Sequence, residues 1–152
     1  MTKRKQRREF CLLMCVAMVV CVVIALAAEK HSVEDLKGKI DGAKPDDKVT
    51  LCLEVAERQV NAADELFRKG EAESAQASLK DVVTYSGQAR DAASVTGHRL
   101  KNAEIAVRKM AHKLSDMKRQ LSFEDQSTVQ ATIDQLEKIR TDLLDRMFKA
   151  GK

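Results

Sequence analysis

Alternating steps of three and four residues visit an almost unbroken apolar row from Ala72 to Leu121: Ala72, Ala75, Leu79, Val82, Ser86, Ala89, Ala93, Thr96, Leu100, Ala103, Val107, Met110, Leu114, Met117 and Leu121. Only Ser86 and Thr96 interrupt it. Strands repeat every two residues, so this spacing predicts helix. Read without a break, it is one helix of about 50 residues, roughly 75 Å long at about 1.5 Å per residue. Partner helices must cover such a seam. Gly87 and Gly97 lie within it, each costing roughly 1 kcal/mol relative to Ala in a helix. The register nevertheless holds across both, so one continuous helix is the expectation. A break at Gly97, giving four shorter helices, is its rival. Ser86, Ala89, Ala93 and Thr96 form a slender waist, expected to be the weakest part of the fold because small side chains bury little apolar area.

A second row, Val49, Leu53, Ala56, Val60, Ala63 and Phe67, predicts a helix beginning after Pro45-Asp46-Asp47. Asp is a good N-cap, and acids suit the positive end of the helix dipole. Arg68, Lys69 and then Gly70 suit its end. Phe67-x-x-Gly70 followed by Ala75 resembles the turn of a tetratricopeptide repeat, in which an aromatic, a Gly and a later Ala let two helices pack closely. The closing Pro of that repeat is missing, and no second copy follows at a spacing of about 34. The resemblance implies a tight antiparallel hairpin at Gly70 and nothing about peptide binding.

A third helix is predicted from Ser122-Phe123-Glu124-Asp125, with Ser122 as N-cap and Asp125 as the capping-box carboxylate. Its stripe of Val129, Ile133, Leu136, Ile139, Leu143, Leu144, Met147 and Phe148 is wide, as in a bundle helix. Both flanking helices connect to the long one through short links and so run antiparallel to it. The predicted fold is all-α: elongated antiparallel helical hairpins, or a three-helix coiled-coil-like bundle around one long central helix.

The other end of the chain has a different character. A basic head, Lys3 to Arg8, precedes an uncharged run from Phe10 to Ala28. Small residues at Ala25 and Ala27 then place a signal-peptidase cut before Ala28. The run of nineteen residues is also close to the ~20 that span a bilayer, so a retained anchor is the alternative. The domain reading is therefore 1–27 signal peptide or N-terminal membrane anchor, 28–47 polar spacer with one short helical turn at 33–40, and 48–150 helical bundle. Arg7-Arg8-Glu9-Phe10 resembles the twin-arginine export signal, although Gln6 and Cys11 stand where that signal has Ser or Thr and Leu. Cys15 and Cys21 follow Met14 and Val20 rather than a small residue, which argues against a lipoprotein. Cys52 is the one thiol beyond the apolar run, so no intramolecular disulfide framework forms there. A small buried hydrophobe is its expected role.

Charge sharpens this division. Of 27 basic and 23 acidic residues, five basic and one acidic lie in residues 1–27, so the rest carries 22 of each. The net charge of +4 is thus no argument for nucleic acid. Locally, Arg99 to Gln120 holds seven basic residues against Glu104 and Asp116, whereas Glu29 to Glu73 holds eight basic against twelve acidic. This contrast points to balance within the fold or to an acidic partner, anionic lipid or envelope polymer.

Aromatic content is 3% with no Trp, which disfavours both a walled small-molecule pocket and a base-stacking surface. No glycine-rich phosphate loop, nucleophile elbow or Cys-x-x-Cys occurs. No catalytic, cofactor-binding or metal residue is therefore expected. His112 and Asp116 lie one turn apart, but zinc normally needs three or four ligands. Val95, His98, Ile105 and His112 share one outer stripe of the continuous helix and form the candidate partner surface. The expected function is an exported, non-enzymatic helical structural or interaction protein of the bacterial cell envelope. The alternatives are a periplasmic chaperone or stress protein, or a metal-binding envelope protein. Its expected partner is another protein or a second copy, with no nucleic acid and no small-molecule substrate. Membrane contact is expected only through residues 10–28, if uncleaved.

Overall fold

A computed structural model describes residues 33–150. It holds five helices and no strand among them, so the all-α bundle stands. After α1 (33–40) come α2 (Pro45–Arg68), α3 (Ala72–Thr96), α4 (Leu100–Lys118) and α5 (Phe123–Ala150). The chain divides at Asp35, and from Leu36 onward it forms one unit. The predicted leader and its cleavage residues Ala25, Ala27 and Ala28 lie outside the described residues. No described helix is long and apolar enough to cross a membrane.

The predicted long helix is two helices. α3 stops at Thr96, Gly97 takes a left-handed φ of 70°, and its N–H closes on the Ala93 carbonyl at 3.0 Å. That single bond with glycine just past the last turn is a left-handed helix stop, which glycine adopts without a Cβ penalty. Arg99 is also left-handed, at φ 58°, and the chain reverses into α4. Ala93 and Leu100 are both buried, seven residues apart across the reversal. A three-residue turn consumes one step of the 3,4 pattern, so the apolar row passes through the break with its register unchanged.

The hairpin implied at Gly70 is present. Gly70 has φ 76°, its N–H meets the Phe67 carbonyl at 3.0 Å, and the Glu71 N–H meets the Leu66 carbonyl at 2.9 Å. This double closure is a Schellman stop. α3 then runs antiparallel to α2, as the pairs Cys52–Gln88 and Gln59–Asp81 show. α5 returns along α4 in the same way, with Lys118 bonded to Gln130 at 2.5 Å and Arg140 to Glu104 at 2.8 Å.

The two hairpins lie side by side. α2 touches α3 and α4, α5 touches α3 and α4, and α3 also touches α4; no Cα of α2 comes within 8 Å of α5 among the described residues. In cross-section the order around the bundle is therefore α2, α3, α5, α4, with the Gly97 turn crossing the short diagonal. Lys113 meets Asn61, and Arg90 meets Asp142 at 3.0 Å, so helices paired across the hairpins run parallel.

The core is thin and aliphatic: Val49, Cys52, Val55, Ala56 and Val60 from α2, Leu79, Val82 and Ala89 from α3, Val107 and Leu114 from α4, and Leu136 and Leu143 from α5. Each is essentially removed from water, at roughly 25 cal/mol per Å² of apolar surface. The waist is not a loose junction. Ser86, Ala89 and Ala93 are fully buried, with α2 reaching the Gln88 side chain and α5 reaching that of Arg90. Small side chains here let helices approach closely. Thr96, counted with the seam, is exposed and ends the helix.

α2 opens three residues earlier than expected, at Pro45. Pro45 occupies its first turn, where a missing N–H costs nothing, and Lys44 stands at the cap. Asp46 and Asp47 sit in the first turn rather than capping it. α5 opens after Ser122 as expected, but the Ser122 hydroxyl donates to the Asp125 carboxylate at 2.8 Å, while the Asp125 N–H meets the Ser122 carbonyl at 3.1 Å, so the contact differs from a capping box. The short turn predicted at 33–40 is α1. From Leu36 on it packs on the bundle: Ile40 is buried, and Lys37 binds Asp81 at 3.0 Å beside the Tyr85 ring. That part of the predicted spacer belongs to the fold.

Candidate functional site

The Gly97 reversal brings the start of α2, the end of α3, the start of α4 and the last turns of α5 to one end of the bundle. An open concavity of about 720 Å³ lies there, lined by Asp46, His98, Arg99, Lys101 and Met147 among others. The Thr96 hydroxyl donates to Asp46 Oδ1 at 3.0 Å, and His98 Nδ1 lies 3.4 Å from Oδ2. The Thr96 hydrogen bond, followed by His98 and Arg99, holds the Asp46 carboxyl below its ordinary 3.8. An Asp, a His and a hydroxyl thus meet, but not in the order nucleophilic catalysis needs. Thr96 gives its hydrogen to the carboxylate, and no bond joins it to the imidazole. The group is a clamp that ties the start of α2 to the end of α3.

Exposed apolar residues gather at the same end. Val95 is 77% exposed on α3 and Phe148 is 74% exposed on the last turn of α5. Phe123, 89% exposed, lies at the opposite end, where α5 begins.

The candidate partner residues are not one stripe. Val95 belongs to α3, His98 to the reversal, and Ile105 and His112 to α4. Val95, His98 and His112 are exposed; Ile105 is half-buried. The shared stripe required a continuous helix and is lost with it. The His112–Asp116 pair is also taken up differently, because Asp116 binds Arg119. No group of three or more His, Cys, Asp or Glu placed to hold a metal occurs among the described residues.

Cys52 lies wholly inside the core, its thiol 3.8 Å from Gln88 Oε1. Burial pushes the thiol up to about 11 despite nearby Lys48. It is the small buried hydrophobe the sequence suggests.

One cluster escapes the sequence pattern. Glu104 is buried between α4 and α5, where Arg140 Nε reaches it at 2.8 Å and Arg108 Nε at 3.4 Å. Arg140 also meets Glu137 at 3.1 Å. The two carboxylates, Glu104 first, hold the guanidinium even more firmly protonated than usual. The signal was Ala111: with Leu100, Glu104, Val107 and Leu114 it makes a second inward row beside the apolar one.

The fold thus defines the class, an all-α bundle of paired antiparallel hairpins. Comparison with protein-family models, curated proteins and solved structures gives no match.

Proposed function

We propose that this is an exported or membrane-anchored, non-enzymatic interaction protein of the bacterial cell envelope, engaging a protein partner or a second copy through the reversal end of its bundle. The export reading rests on the basic head, the apolar run and the small residues before Ala28. The observation that supports the interaction end is the placement of Val95 and Phe148. Both are large, apolar and exposed, and both flank the turn carrying His98 and Arg99. Large apolar side chains left exposed among polar groups are what a protein interface uses as anchors. A chaperone cradle is favoured less, because Phe123 lies at the far end and the exposed apolar residues form no continuous surface.

The test is site-specific photo-crosslinking in cells, with the crosslinker at Val95 or Phe148 and at exposed Lys80 as control. The expected result is one defined adduct from the first two positions and none from Lys80, with envelope fractionation and an N-terminus at Ala28. Equal labelling from all three positions, or recovery of the chain in the cytosol with Met1 retained, contradicts the reading.

A further inference from the structure

Helix α4 and its flanking residues concentrate positive charge on the outside of the bundle. Lys101, Arg108, Lys109, Lys113 and Arg119 are all exposed. At about 100° per residue they occupy an arc of roughly 140°, along a line of about 27 Å. The opposite arc, from Ala103 through Leu114, is buried against the other helices.

Balance within the fold does not account for this strip. Its neighbours α2 and α5 are acidic, yet no cation of α4 reaches a carboxylate on either helix among the described residues. Arg108 pairs with Glu104 and Arg119 with Asp116, both local. Lys113 bonds Asn61 and Lys118 bonds Gln130, both neutral. The ion pair that does leave α4 runs the other way, from Glu104 to Arg140. Lys101 and Lys109 make no hydrogen bond or ion pair among the described residues. The negative groups bordering the strip are Asp116 within it, Glu104 beside Arg108, Asp46 of α2 across the end concavity from Lys101, and Glu57 of α2, which shares a concavity of about 250 Å³ with Lys109 and Lys113.

We infer that the outer face of α4 binds an anionic lipid bilayer surface peripherally, by charge alone. Three features select that partner. The cations are spread over the outer arc of one helix, and the concavity beside Lys109 and Lys113 carries Glu57, which repels an anionic strand seated in it. The apolar face of α4 is committed to the core, so the helix lies on headgroups without inserting. No aromatic side chain stands on the strip to stack a nucleic-acid base. Juxtamembrane cations close to an anionic leaflet each strengthen attachment several-fold, within a Debye length of about 10 Å at 0.1 M salt. This contact is separate from residues 10–28, and it meets the partner-binding end at Lys101 alone.

The test is co-sedimentation of the full chain with vesicles of phosphatidylcholine, with or without a third of phosphatidylglycerol. Wild type is compared with a Lys101→Gln, Lys109→Gln, Lys113→Gln variant and with a Lys138→Gln, Arg146→Gln, Lys149→Gln control on α5. Residues 3–8 attract anionic lipid equally in all three, so the reading is the difference between them. The α4 variant is expected to bind phosphatidylglycerol vesicles at least about tenfold more weakly at 0.1 M salt, with the control unchanged and all three alike on phosphatidylcholine. Equal binding of wild type and α4 variant overturns the assignment, as does an equal loss in the control, which reports net charge only. Retention of wild type on an acidic polysaccharide without any gain on phosphatidylglycerol overturns it too. The Lys101→Gln, Lys109→Gln pair, whose side chains bond nothing among the described residues, repeats the comparison if the triple variant loses helix content.

Discussion

Arg140 Nε donates to Glu104 at 2.8 Å across the α4–α5 interface, and the acceptor carboxylate is only 10% exposed. A buried charge is costly once its partner is gone, whereas removing the charge itself relieves that cost. Arg140→Met should therefore destabilise the bundle by about 2–3 kcal/mol, with Arg108 compensating only in part. Glu104→Met should cost less. Urea unfolding followed by circular dichroism gives both values, and the opposite order would refute a buried, paired Glu104.

The two glycines of the long apolar row should respond with opposite signs. Gly87 is helical, and a Cβ there meets nothing within 4 Å. Gly87→Ala should stabilise by up to about 1 kcal/mol. Gly97 has φ 70°, so Gly97→Ala should destabilise by about 1–2 kcal/mol. Thermal unfolding of the two variants decides it. Stabilisation by both would restore the continuous helix.

Ala93 is fully buried in the waist beside α2. Ala93→Leu should cost about 1–3 kcal/mol by overpacking. Denaturant melts would show a neutral effect, or new self-association, if the waist were loosely covered.

Much of this was legible along the chain. Twelve of the fifteen seam positions between Ala72 and Leu121 are buried, and the stop at Gly70 and the start of α5 after Ser122 fall where the residues place them, although α4 already ends at Lys118. The reversal was not legible from periodicity. Ala93 and Leu100 keep a spacing of seven whether the intervening residues are helix or turn. Only backbone chemistry separates the two: Gly97 accepts a left-handed angle, and Val95-Thr96 before it are weak helix formers. Glu104 stayed hidden for a related reason. A carboxylate reads as solvated until Arg140, 36 residues later, is known to lie over it. The partner stripe failed because it inherited the straight helix.

The Asp46 clamp makes a pH prediction. Its carboxyl sits below the ordinary 3.8 because Thr96, then His98 and Arg99, favour the ionised form. A depressed acid contributes stability above its unfolded value and loses it as pH falls through the folded one. The clamp should therefore be intact at neutral pH and release below about pH 4. Carbon-detected NMR titration should show Asp46 moving back up towards 3.8 in Thr96→Val. An unchanged titration would mean that Thr96 does not hold the carboxylate.

The reversal at Gly97 is the feature on which the bundle, the clamp and the interaction end all depend. Its most direct test is the distance between spin labels at Gln76 on α3 and Asp116 on α4, both exposed, in a chain whose four cysteines are replaced by alanine. Folded back, the two backbones should lie within about 20 Å of each other, giving a label separation of roughly 20–30 Å. A distribution centred near 60 Å, the span of 40 residues in an unbroken helix at about 1.5 Å each, would contradict the fold.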